Sequence, residues 1–137
     1  MRRILAAGVA ILAAAAWIPA RAADPAVEKR YTPGLARCMA TPEGESTMGM
    51  IDCIGAELKI QDARLNATYG KAVAGLTAEQ KSKLQAAQRA WIAFRDADCA
   101  SMQDQDWGTL SRVEANDCLL RCTVERTLEL EDYPPAT

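Results

Sequence analysis

The chain has 137 residues, with 16 basic and 18 acidic side chains, five cysteines and no histidine, which is enough for one small domain. Without histidine there is no Ser-His-Asp or Cys-His arrangement and no histidine metal ligand. Residues 1–22 hold three of the 16 basic residues (Arg2, Arg3, Arg21) and none of the 18 acids, so the remainder has 13 basic and 18 acidic groups, a net of −5. That balance argues against nucleic acid and an anionic membrane surface, serves solubility, and leans towards a basic partner.

The first 22 residues read as a cleaved secretory signal. Arg2 and Arg3 give the positive start, Ile4 to Ile18 is an uncharged apolar run, and Pro19 breaks it. Ala20-Arg21-Ala22 is a small-residue cleavage site ahead of Ala23. The run falls short of the roughly 20 residues a spanning helix needs. No cysteine follows the cleavage point to take a lipid, so the expected product is periplasmic or secreted, with no stable membrane anchor after cleavage.

Residues 23–50 read as an irregular segment. Pro25, Pro33, Gly34, Pro42, Gly44 and Gly49 punctuate it, with room for a short helical turn over Pro33–Cys38. Residues 51–133 read as a helical domain. A first helix is predicted from about Ile51 to Leu76, where Ile54, Leu58, Leu65, Tyr69, Val73 and Leu76 recur at helical spacing. Thr77-Ala78-Glu79-Gln80 is a capping box that starts a second helix, running to about Met102. Residues 103–111 form a loop around Gly108, and a third helix runs from about Arg112 to Asp132 before Pro134-Pro135. No segment alternates with period two. The fold class is therefore all-α, an antiparallel helical hairpin plus a third helix, stapled by disulfides.

With equal rise along the two hairpin helices, facing positions sum to about 153. Asp62 then faces Trp91, Leu65 faces Gln88, Tyr69 faces Leu84, and Cys53 lands near Cys99 at the open end. Cys118 starts the third helix at that same end. Asp62, Asn66 and Tyr69 share one helix face, and Gln88, Trp91 and Arg95 share another. We read this stripe as a partly buried network rather than a binding surface or an acid–base site, with Arg95 held by a carboxylate and packed on an aromatic ring.

Cys38, Cys53, Cys99, Cys118 and Cys122 are disulfide candidates in an exported chain. They show no CxxC spacing, so no metal or cofactor is expected. Asp96, Asp98, Asp104 and Asp106 are close together, but acids in a short loop are usually solvated. Asp104-Gln105-Asp106-Trp107-Gly108 lacks the full spacing of a calcium loop. We expect no catalytic residues and no enzyme. Asp104, Asp106 and Trp107 are instead a candidate partner-binding loop, an aromatic anchor flanked by acids.

The run Gln88-Arg89-Ala90-Trp91-Ile92-Ala93-Phe94-Arg95-Asp96-Ala97-Asp98-Cys99 resembles the signature of the LprI-like lysozyme-inhibitor family. Asp62, Asn66 and Tyr69 on the preceding helix match it too, as do Cys118, Thr123, Arg126 and Leu130, and the first cysteines Cys38 and Cys53. The resemblance spans residues 38–130. It implies a small exported helical domain with bridges Cys38–Cys53 and Cys99–Cys118, leaving Cys122 free or intermolecular. The hairpin geometry keeps Cys53–Cys99 as a rival, and Cys122, one turn after Cys118, as its substitute. The function implied is inhibition of lysozyme. The alternative is a non-catalytic structural or stress-related envelope module with another protein partner. The chain departs from the family pattern at Asp106-Trp107-Gly108-Thr109, where many members have Gly-Gly-Ser, and in having Cys122 at all.

Overall fold

The computed structural model describes residues 24–134, so the signal segment 1–22 lies outside the described residues. Five α-helices follow in order: α1 Pro25–Glu28, α2 Pro33–Met39, α3 Thr47–Ala74, α4 Ala78–Ala100 and α5 Leu110–Glu131. A single 3-10 turn, Gln105–Trp107, precedes α5. Among the described residues there is no strand, in agreement with the all-α reading. No described helix is long and apolar enough to cross a membrane.

The segment read as irregular is more ordered than its prolines suggest. Asp24 caps α1 by accepting from the Ala26 amide, and Thr32 caps α2 by accepting from the Gly34 amide. In each case the proline is the first helical residue, where its missing N–H costs nothing and its fixed φ suits the helix. Pro25 and Pro33 therefore start helices, and the turn anticipated over Pro33–Cys38 is α2. Ser46 caps α3 through the Gly49 amide, so that helix begins four residues before Ile51. The backbone between α2 and α3 closes tightly here. A Cβ on Gly44 would overlap the Cys38 carbonyl oxygen, and one on Gly49 would overlap that of Glu43.

The capping box of α4 forms as read. Gln80 N donates to Thr77 Oγ1 at 3.3 Å, and Thr77 N donates to Gln80 Oε1 at 2.9 Å. The face-to-face pairing of the first two long helices does not dominate the packing. α5 is the principal partner of both α3 and α4, and direct approach of the α3 and α4 backbones is sparse. The pairing rule considered two helices only, whereas α3 and the third long helix carry the main buried stripes. α5 buries Ala115, Cys118, Leu120, Thr123, Val124, Thr127 and Leu130, while α4 buries Leu84 and Cys99. All three helices meet near the α3–α4 turn, where Leu65, Ala72, Leu84 and Leu130 form a core with Tyr69, Val73, Leu76, Trp91 and Tyr133 against it. Each fully buried leucine there contributes roughly 1.5–3 kcal/mol.

The N-terminal segment is tied down by a buried polar cluster that the sequence reading missed. Glu57 is only 2% exposed and accepts from Thr32 N at 2.8 Å, Thr32 Oγ1 at 2.5 Å and Gln61 Nε2 at 2.7 Å. Gln61 also donates to the Arg30 carbonyl at 2.7 Å. Arg30 in turn makes a two-pronged ion pair with Glu131 at the far end of α5, at 2.8 and 2.5 Å. Ile54, Glu57, Gln61 and Leu65 recur at helical spacing, so the available signal was a polar pair embedded in the apolar stripe.

Candidate functional site

The signature residues assemble into a clasp between α4 and α5. Trp91 lies partly buried on α4, with the Arg95 guanidinium 5.0 Å and the Arg126 guanidinium 5.8 Å from its ring centroid. Arg95 donates to Thr123 Oγ1 across the helices at 3.2 Å and to its neighbour Asp96 at 2.9 Å. Arg126 donates from α5 back to Gln88 Oε1 at 2.9 Å and to Glu129 at 2.8 Å. The buried Thr123 hydroxyl donates in turn to the Leu119 carbonyl at 2.7 Å. Both guanidiniums are thus satisfied by oxygen partners while packing on one indole, which strengthens each contact beyond its value in water.

This is the network anticipated for Arg95, but it runs between α4 and α5. Asp62 stays on α3, where Asn66 Nδ2 donates to it at 3.3 Å, and the structure does not bring that pair into the clasp. Tyr69 packs with the core instead, and Arg89 is exposed on the outer side of α4. Arg95 and Gln88 find their cross-helix partners, Thr123 and Arg126, on α5 and not on α3.

The bridges are Cys38–Cys53 and Cys99–Cys118, with Cα separations of 5.7 and 5.5 Å, and the rival Cys53–Cys99 does not form. Cys122 is a free, partly buried thiol. The sulfurs gathered at this end are those of Cys99, Cys118 and Cys122, all within 4.8 Å of one another. Cys53 belongs elsewhere, because α2 packs on α3 and brings Cys38 to it. With Cys99 and Cys118 joined, the cluster is a disulfide beside a thiol.

The Cys99–Cys118 bridge closes a covalent loop spanning 19 positions, with Trp107 inside it. Asp104 caps the 3-10 turn by accepting from the Asp106 amide at 2.8 Å. Gly108 sits at φ 79°, a conformation that suits glycine, and reverses the chain into α5. The buried Ser111 hydroxyl lies 2.9 Å from the Asp104 carbonyl and 2.8 Å from that of Gly108, tying the loop's start to its end. The result is a braced loop that holds Trp107 at 66% exposure, with Asp104 and Asp106 exposed beside it. Trp107, Leu110 and Met102 line a shallow apolar recess with Ser111 and Glu114. A second recess on the loop's other side is lined by Gln103, Asp104, Gln105, Thr109 and Arg112.

On the opposite flank of α5, burial pushes the Tyr31 phenol up to about 12, with Asp117, Glu125 and Glu28 adding to the shift and Arg121 opposing it. Burial, with Glu114 beside it, also raises the Asp117 carboxyl against the pull of Arg121.

The family described as lysozyme inhibitor LprI matches residues 38–130. An uncharacterized protein of Rhizobium meliloti (strain 1021) is 31% identical over 102 residues, covering 64% of this chain and 73% of that protein. No solved structure matches. The matched span contains both bridges, the α4–α5 clasp and the tryptophan loop, and the chain belongs to the LprI lysozyme-inhibitor family.

Proposed function

We propose that this protein is an exported, non-catalytic binding protein that inhibits lysozyme, and that the loop over residues 103–110 is its contact surface. The observation that carries the reading is the exposed Trp107, flanked by Asp104 and Asp106 on a disulfide-closed loop. Interfaces gain most from a few aromatic anchors, and acids beside one complement a basic target. Lysozymes are commonly basic and bind sugar in a cleft that a projecting loop can enter or cover. Bracing by Asp104, Gly108 and Ser111 lowers the ordering cost of binding.

The test is cell-wall lysis by lysozyme in the presence of the purified chain lacking residues 1–22. Dose-dependent slowing is the expected result, and unchanged lysis at a large molar excess would exclude inhibition of that lysozyme. Amino-terminal sequencing of exported material is expected to begin at Ala23. A second reading, an envelope interaction module with another protein partner, draws on Phe94 and Ile92, which stand 64% and 40% exposed on α4. Lysozyme inhibition that survives Phe94→Ala but not Trp107→Ala separates the two.

A further inference from the structure

We propose that Cys99, Cys118 and Cys122 form a thiol–disulfide exchange site, in which Cys122 attacks Cys99 and the staple moves from Cys99–Cys118 to Cys99–Cys122. Three sulfurs within 4.8 Å of one another, one of them a free thiol, place a nucleophile beside a bond it can break. In the step, the Cys122 thiol loses its proton to solvent and its sulfur bonds to Cys99 Sγ. The Cys99–Cys118 bond breaks, the electron pair leaves on Cys118, and Cys118 takes up a proton. One disulfide and one thiol are present before and after, so neither oxidant nor reductant is consumed.

Helix geometry selects Cys99 over Cys118 as the sulfur attacked. Cys118 and Cys122 are one turn apart on α5, where Cβ atoms stand about 5–6 Å apart, whereas a disulfide needs about 3.5–4.5 Å. Cys99 reaches in from α4 and is free of that constraint. The new bridge closes a covalent loop only four residues longer, so its loop-closure entropy is nearly the same. Burial pushes the Cys122 thiol up, Glu125 and Asp98 push the same way, and Arg121 and Arg95 pull it down. The attacking thiolate is accordingly scarce at neutral pH, and exchange accelerates in mild alkali.

The two isomers differ in what they present. With Cys99–Cys118 closed, the partly exposed Cys122 is the reactive thiol. After exchange the free thiol is Cys118, which is 2% exposed and shielded. The anchor of the tryptophan loop also moves one turn along α5.

The chain itself supplies the readout, because Arg112, Arg121 and Arg126 let trypsin place the three cysteines on separate peptides, 96–112, 113–121 and 122–126. The folded protein is held in mild alkali, quenched in acid, denatured and alkylated at its free thiol, then digested without reduction. At time zero the label is expected on 122–126 alone. After incubation about a tenth or more is expected on 113–121, as for isomers within about 1.4 kcal/mol. That fraction should be independent of protein concentration, as an intramolecular step requires. Label confined to 122–126 after incubation, label on 96–112, or a fraction that rises with protein concentration would each overturn the proposal. Cys118→Ala gives an independent check. Incubated with a small-molecule disulfide such as oxidised glutathione, which is reduced to two thiols, it should form a Cys99–Cys122 bridge with no free thiol, and two persistent free thiols would overturn the reach between those sulfurs.

Discussion

Two tryptophans mark two regions of this molecule with opposite chemistry. Trp91 is partly buried between α4 and α5, under two guanidiniums that each hydrogen-bond across the two helices. Trp107 stands 66% exposed on a braced loop, among acids, and among the described residues no guanidinium packs over its ring. One indole joins two helices, while the other is held away from the body at the end stapled by Cys99–Cys118. The contrast separates what holds the fold from the surface proposed to meet a partner.

Substitutions should divide along that line. Trp91→Ala removes the ring both guanidiniums pack on and should cost about 3 kcal/mol of stability, the low end for truncating a core aromatic. Chemical denaturation checks it, and a midpoint unchanged from wild type would remove Trp91 from the scaffold. Arg95→Ala loses a charged hydrogen bond to the buried Thr123 and should cost about 2 kcal/mol. Trp107→Ala should leave stability within about 0.5 kcal/mol of wild type while weakening lysozyme binding by about 2 kcal/mol, roughly thirtyfold. Asp104→Asn with Asp106→Asn should mainly slow association, by a factor that shrinks as salt is added, measurable by stopped-flow. A rate change that ignores salt would assign those acids to bracing the loop instead.

The smallest effect concerns neither tryptophan. Burial holds the Asp117 carboxyl above its ordinary value, so its contribution to stability is full in acid and declines as pH rises through the folded-state pKa. Asp117→Asn should therefore melt slightly above wild type at neutral pH. The gap should close on acidification through the ordinary carboxyl range. A gap that widened in acid would reverse the sign of the linkage.

The sequence carried the scaffold better than the packing. The α4 capping box is a purely local arrangement of Thr77 and Gln80, and it forms as read. The turn expected from Pro33 forms as α2, but Pro25 misled, because proline breaks a helix interior yet starts a helix after a cap such as Asp24, and that capping pair was visible. The exact facing positions of the hairpin do not organise the packing, for a non-local reason. Rise along two helices is calculable, but the stripe that α5 buries depends on all three helices packing together. Glu57 was hidden for the same reason, since its partners Thr32 and Gln61 converge on it only once α2 packs on α3. The disulfide pairing came from the family resemblance, because spacing alone left Cys53–Cys99 open. The acids around Trp107 were legible, but its exposure depends on Gly108 and Ser111 bracing the loop away from the core.

In the proposed function the stapled tryptophan loop is the inhibitory surface and the clasp only carries it. The most direct measurement is lysozyme inhibition by Trp107→Ala beside the wild-type protein, with both shown to melt at the same temperature. Inhibition weakened roughly thirtyfold on an unchanged scaffold is the expected result. Full inhibition by Trp107→Ala from an equally stable protein would contradict it.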